Sequence, residues 1–261
     1  MGQPELNKDV LHRLIGESHL PLSHEIYRSS TYWRSRVQNV TYDRFISAIR
    51  KNNIPYVRYA LLENLIDPSV DDNEAIRSAA SNGHIEVVKL LLEDERVDPS
   101  YSNNEAIRWA ADNGHTEVVR LLLEDERVDP SADDNYAISW AARKGNTEIV
   151  KLLLEDERVD PSDDDNSAIQ CAAYNGHTEV VRLLLEDERV DPSANNNYAI
   201  RKAASKGRTE IVRLLLEDER VDPSVYSNIA IRKADRNGHT EVVRLLLEDE
   251  KVDPSAIHKN Y

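Results

Sequence analysis

Four histidines, His84, His115, His177 and His239, occupy one position of a repeating pattern. Imidazole is both a zinc ligand and a general base. The single cysteine, Cys171, has the chemistry of a nucleophile, and the acidic run Glu93-Asp94-Glu95 recurs five more times with the chemistry of a calcium ligand. The spacing argues against all three. Units that stack side by side hold equivalent residues about 8–10 Å apart, too far for two such histidines to share one zinc at bonds of ~2 Å. Calcium needs about six to eight oxygens converging on one point, and copies spread along a stack do not converge. No base is placed beside Cys171 by the repeat. One cysteine also excludes a disulfide framework and a Cys-based zinc site, and is compatible with a reducing compartment. The repeated glycines fall one per unit, so no phosphate-cradling loop forms. An enzyme is the least expected class, and neither cofactor nor metal is expected. The histidines are expected to make a structural hydrogen bond at the turn between two helices.

The elements that carry these residues follow from the repeat. Asp-Pro-Ser stands at Asp67, Asp98, Asp129, Asp160, Asp191, Asp222 and Asp253, always 31 residues apart, enclosing six full units. A fixed period of this size means stacked supersecondary units. The first unit reads as two short helices. Asn73 is placed to cap the first, Glu74 to Ser81, which carries Ile76, Ala79 and Ala80 on one face. Gly83 ends it, because glycine takes the left-handed conformation freely. The second helix runs from about Glu86 to Asp94, with Glu86 at the positive end of its dipole and Arg96 offsetting the acids at the other end. Asp98-Pro99-Ser100 is a turn. A helix pair this short cannot bury both faces alone, so its neighbours must cover it.

Asn-Gly-His-Xaa-Glu-Val-Val-Lys/Arg-Leu-Leu-Leu resembles the second half of an ankyrin repeat, and Ala-Ile-Arg-Xaa-Ala-Ala corresponds to the segment that opens its first helix. The resemblance covers residues 67–252. It implies an all-α, ankyrin-like solenoid of stacked helix–turn–helix repeats with short turn fingers. Glu74-Ala75-Ile76-Arg77 stands where the family has Thr-Pro-Leu-His, so the hydrogen bonding of that Thr and His is missing. The unit is also about two residues short of the usual 33, which implies a tightened finger. The Asp-Glu-Arg-Val-Asp-Pro-Ser variant is similar to repeats encoded by giant DNA viruses of amoebae, which would place the protein in the host cytoplasm.

Residues 41–66 fit a degenerate first repeat, and 253–261 form a C-terminal tail. Residues 1–40 read as a helical N-terminal cap or a short F-box-like segment. The stretch Leu6-Asn7-Lys8-Asp9-Val10-Leu11 with Trp33-Arg34 is similar to the module that docks onto a ubiquitin-ligase adaptor, although it is shorter and lacks the Pro after the first Leu. No basic start followed by an apolar stretch marks a secretory signal, and no apolar run is long enough to span a membrane.

Differences between near-identical units point to function. Cap, core and turn positions are invariant. The aromatics Tyr101, Trp109, Tyr136, Trp140, Tyr174, Tyr198 and Tyr226 all lie at variable positions. The family's stacking places the fingers and first helices on a concave side, and Tyr and Trp are enriched at binding hot spots. Bases collect in the last two units as Arg201, Lys202, Lys206, Arg208, Arg232, Lys233 and Arg236, of which Arg201, Lys202, Arg232, Lys233 and Arg236 join the aromatics, although the whole chain carries −15 at neutral pH. That net charge argues against general nucleic-acid binding. These twelve residues are the candidate site. The leading reading is a monomeric protein-binding scaffold in the cytoplasm, for a protein or peptide with an apolar centre and an acidic end, with no nucleic acid and no membrane involved. Two alternatives stand beside it: an adaptor that recruits ubiquitin-ligase substrates, and a designed or recently duplicated solenoid with no selected partner.

Overall fold

The computed structural model describes residues 40–258. The expected N-terminal cap or F-box-like segment therefore falls outside the described residues except for its last position, as do 259–261 of the tail. The described residues form two compact units, which divide between Asp98 and Pro99. Among the described residues every regular element is a helix. Unit 1 holds α1 (Tyr42–Arg50), α2 (Ile54–Leu62), α3 (Val70–Ser81) and α4 (Ile85–Leu92). Unit 2 holds five further pairs: α5 (Tyr101–Asp112) and α6 (Thr116–Leu123), α7 (Ala132–Lys144) and α8 (Thr147–Leu154), α9 (Asp163–Asn175) and α10 (Thr178–Leu185), α11 (Ala194–Ser205) and α12 (Thr209–Leu216), and α13 (Val225–Arg236) and α14 (Thr240–Leu247). A short 3-10 helix, Pro254–His258, packs on α13.

In each unit first helices pack on first helices and second on second: α1 on α3 and α2 on α4, then α5, α7, α9, α11 and α13 in one row and α6, α8, α10, α12 and α14 in the other. Small residues allow the close approach. In α5, Ala106, Ile107, Ala110 and Ala111 are fully buried. In α6, Val118, Val119 and Leu122 are buried at helical spacing. Only the middle leucine of each Leu triplet is fully enclosed; Leu247, the third of the last, is 40% exposed. Burying one such leucine is worth roughly 1.5–3 kcal/mol, and each repeat contributes another.

The first helix begins differently from the expectation. Asp71, Asp72 and Asn73 all have left-handed backbone, with φ of 50–60°, and every later repeat has the same three-residue turn. Short polar side chains that bond locally tolerate this region best, hence the runs Asp-Asp-Asn, Ser-Asn-Asn and Asn-Asn-Asn at these positions. The right-handed helix starts at Glu74. Asn73 does not cap it with its side chain. Its Oδ1 instead accepts the backbone N–H of Asp98, 25 residues on, at 2.8 Å. Asn104, Asn135, Asn166, Asn197 and Asn228 do the same for Asp129, Asp160, Asp191, Asp222 and Asp253, at 2.7–2.9 Å. The asparagine thus ties one finger to the next. The aspartate so held folds its own carboxylate over the following serine, as Asp160 accepts from the N–H and Oγ of Ser162, and this holds its carboxyl below the usual range.

The residue in place of the family's histidine braces the finger. Arg77 donates to the carbonyls of Asp71 and Asp72, Arg201 to those of Asn195 and Asn196, and Gln170 to that of Asp165.

The acidic ridge also has a reason to recur. Asp156 grips the guanidinium of Arg158 through both oxygens, at 2.6 and 2.9 Å. Arg158 then donates to the carbonyls of Val128 and Leu123 in the preceding repeat, and Arg189 repeats this on Val159 and Leu154. The acid at the helix end orients a clip between repeats, so Arg158 does more than balance the dipole. Each such aspartate carboxyl lies below its ordinary range, chiefly because of the arginine it holds.

His84, His177 and His239 make a hydrogen bond to the preceding repeat. His177 Nε2 lies 2.9 Å from the carbonyl oxygen of Arg143, and His239 Nε2 3.2 Å from that of Ser205. This contact explains the glycine as much as its conformation does. Gly207 has φ 69°, and a Cβ there would sit 2.6 Å from Nδ1 of His239.

Candidate functional site

The twelve candidate residues all belong to unit 2, on its first helices or at their finger ends. Their periodicity explains the common placement. The buried stripe of the first helices is Ala-Ile-Xaa-Xaa-Ala-Ala, with an exposed Asp235 in the last place in α13, which leaves the intervening positions and the finger at the surface. Trp109 is 47% exposed and Tyr226 57%; Tyr101 and Tyr174 are also exposed, while Tyr136, Trp140 and Tyr198 are half-buried.

Two clusters form. In the first, Trp140 stacks on Tyr136 one turn back on α7, with centroids 5.0 Å apart. The Arg143 guanidinium lies 4.4 Å over Trp140 and that of Arg108 5.0 Å over Tyr136. Trp109 donates its Nε1–H to Glu105 at 2.7 Å. Both tryptophans are therefore engaged within their own helices. Two ion pairs form here: Arg108 meets Asp133, and Lys144 meets Asp112 at 3.3 Å. Burial is the main cause of the raised Tyr136 phenol, helped by Asp112.

The second cluster crosses α9, α11 and α13. Arg201 lies between two rings, 4.9 Å from the centroid of Tyr226 and 5.4 Å from that of Tyr198. Lys202 Nζ lies 4.8 Å from Tyr198 and 5.9 Å from Tyr174, and Lys206 Nζ lies 4.8 Å from Tyr174. Rings and cations alternate as Tyr226, Arg201, Tyr198, Lys202, Tyr174, Lys206. Among the described residues no carboxylate pairs with Arg201, Lys202, Lys206, Lys233 or Arg236. Arg232 serves its own finger by donating to the Tyr226 carbonyl.

Beside this second cluster runs an open groove of about 390 Å³, between the finger residues Asp164, Asp165 and Asn195 and the side chains of Cys171, Tyr174 and Tyr198. Burial raises the Cys171 thiol, which keeps it protonated and makes it a poor nucleophile. Among the described residues no group of three or more His, Cys, Asp or Glu is placed to hold a metal ion, and no helix is long and apolar enough to cross a membrane.

Arg108, Arg143 and Lys206 belong to these clusters although the candidate set omits them. Arg143 and Trp140 share a helix face three residues apart, and Tyr136 and Trp140 are four apart, so helical spacing carried that signal. Placing cations between rings on different helices required the packed structure.

A family model described as ankyrin repeats (3 copies) matches residues 45–134, 109–196 and 188–257. No curated protein matches the chain.

Proposed function

The chain belongs to the ankyrin repeat family, and on that premise we propose that it is a non-enzymatic scaffold that binds a protein or peptide through the finger and first-helix side of unit 2. Ankyrin repeats are in general protein–protein interaction scaffolds. One observation carries the choice of surface. Residues that hold the stack together are repeated almost without change, whereas every aromatic of the six full units lies at a variable position, and most of them join two ring-and-cation clusters. Such rings bury much area at small entropic cost, as interface anchors do.

Affinity capture with the intact chain, followed by titration of the captured partner, tests this. Trp140→Ala is expected to weaken binding by ~2 kcal/mol or more, as a central anchor does. Lys202→Glu combined with Lys233→Glu is expected to slow association and reduce its salt dependence. An affinity unchanged in both variants would place the interface elsewhere, with the acidic ridge of Glu93, Asp94 and Glu95 and its copies the next surface to test.

A further inference from the structure

The two halves of this surface differ in charge, and the difference specifies a ligand. On α5 and α7, Arg108 meets Asp133 and Lys144 meets Asp112, while Arg143 lies over Trp140, and the acids of the two spans match or exceed the bases. On α11 and α13 they do not. The span 194–206 contains no acid, and 225–237 contains one, Asp235, against Arg232, Lys233 and Arg236. Elsewhere in unit 2 an arginine typically finds a carboxylate nearby. Arg182 and Arg213 pair with the glutamate three residues back, and Arg189 and Arg220 with the clip aspartates. In a chain of net −15, an excess of bases over acids is therefore concentrated at this end of the face.

Tyr226 adds an independent observation. It is the first of the three left-handed residues of its finger, with φ 50°, where the other repeats have Asp, Ser or Asn. A bulky side chain in this region costs free energy, and such strain persists where something else requires the residue. The ring supports no core, being 57% exposed, and its charged neighbour is Arg201.

We propose that the ladder from Tyr174 to Tyr226, with Lys206, Lys233 and Arg236 beside it, docks an acidic extended peptide segment of a partner protein, and that Tyr226 is kept in a strained backbone for this contact. The proposal deepens the binding-scaffold reading and rests on it. Carboxylates of the peptide meet cations already held in place by rings, so less side-chain freedom is lost on binding than for free lysines. A nucleic acid is the other polyanion to consider. It fits less well, because Arg201 and Lys202 lie over the ring faces on which bases would stack.

The test is selection of a displayed library of random dodecapeptides on the full chain. Enriched peptides are expected to be acidic, and the best of them is then titrated against variants. Lys202→Glu plus Lys233→Glu should lose at least about tenfold in affinity. Tyr226→Asn, which suits the left-handed backbone better, should bind several-fold more weakly while its thermal midpoint stays level or rises. Enrichment of basic or uncharged peptides overturns the proposal. So does tighter binding of an oligothymidylate than of the best peptide, or an unchanged affinity of Tyr226→Asn. Peptides lost in Trp140→Ala but indifferent to Lys202 and Lys233 would overturn this docking site alone. Peptides indifferent to all these changes would overturn the scaffold reading as well.

Discussion

Two sides of the repeat in unit 2 handle charge in opposite ways. Along the second helices and the loops after them, each arginine has an assigned partner: Arg158 is gripped by Asp156 and clipped to the preceding repeat, and Arg182 pairs with Glu179. Along α11 and α13, Arg201 and Lys202 lie over rings, and among the described residues Arg201 and Arg232 donate only to their own fingers. The first arrangement is nearly identical from copy to copy and the second differs in each. Exposed ion pairs are worth little singly, so the clips matter through the carbonyls of the preceding repeat that they satisfy, while Lys202, Lys206, Lys233 and Arg236 on the other side pair with no carboxylate among the described residues. One side holds the stack together and the other is free to vary.

The comparison can be broken by substitution, most severely on the holding side. Leu122→Ala should cost ~2–5 kcal/mol in a denaturant titration, because it removes a fully buried side chain from between repeats. Asn166→Ala should cost about 1–3 kcal/mol, since it leaves the N–H of Asp191 without its acceptor. A loss within a few tenths of a kcal/mol at Asn166 would mean that the fingers are not tied through it.

Acid sharpens the same contrast. The carboxyls of Asp94, Asp125, Asp156, Asp187 and Asp218 lie below the unfolded value of about 3.9. Their folded forms thus bind protons less readily than the unfolded chain. The resulting stabilisation is fully present above about pH 4 and is lost as the pH falls through the depressed values. Chemical denaturation followed downward from neutral pH should show little change until roughly pH 4 and a fall below it. Arg158→Ala should reduce that fall, because Asp156 loses the cause of its shift. An identical acid profile in the variant would remove the clip from the account.

The smallest effect belongs to the variable face. Trp109→Ala should change stability by less than about 1 kcal/mol, the range of surface substitutions, since its ring is 47% exposed and its hydrogen bond is to a neighbour on its own helix. A loss comparable to that of Leu122→Ala would put the tryptophan in the core and end the distinction between the two sides.

What the sequence determined by itself is what short-range chemistry dictates. Apolar residues three and four apart define both helices of each unit, and Gly83 and its copies take the left-handed turn expected between them, at φ 71° for Gly83. The period of 31 requires stacking. The run of Asp, Asn and Ser before the first helices of five of the six full repeats held a further local signal, since three such residues together suit the left-handed turn that forms there. Tertiary structure decided every role whose partner lies in another repeat. Asn73 looks like a helix cap because its acceptor is useful to the nearest free amide, yet stacking offers it the N–H of Asp98 instead. Asp94 looks like a misplaced charge at a helix end until Arg96 is seen reaching the Ile66 carbonyl across the loop. Arg201 is one base among several in the sequence, and only packing of α13 beside α11 sets it between two rings. Helix and turn depend on neighbours a few residues away, which the sequence displays. A hydrogen-bond donor 25 or 30 residues distant is chosen by the geometry of the stack.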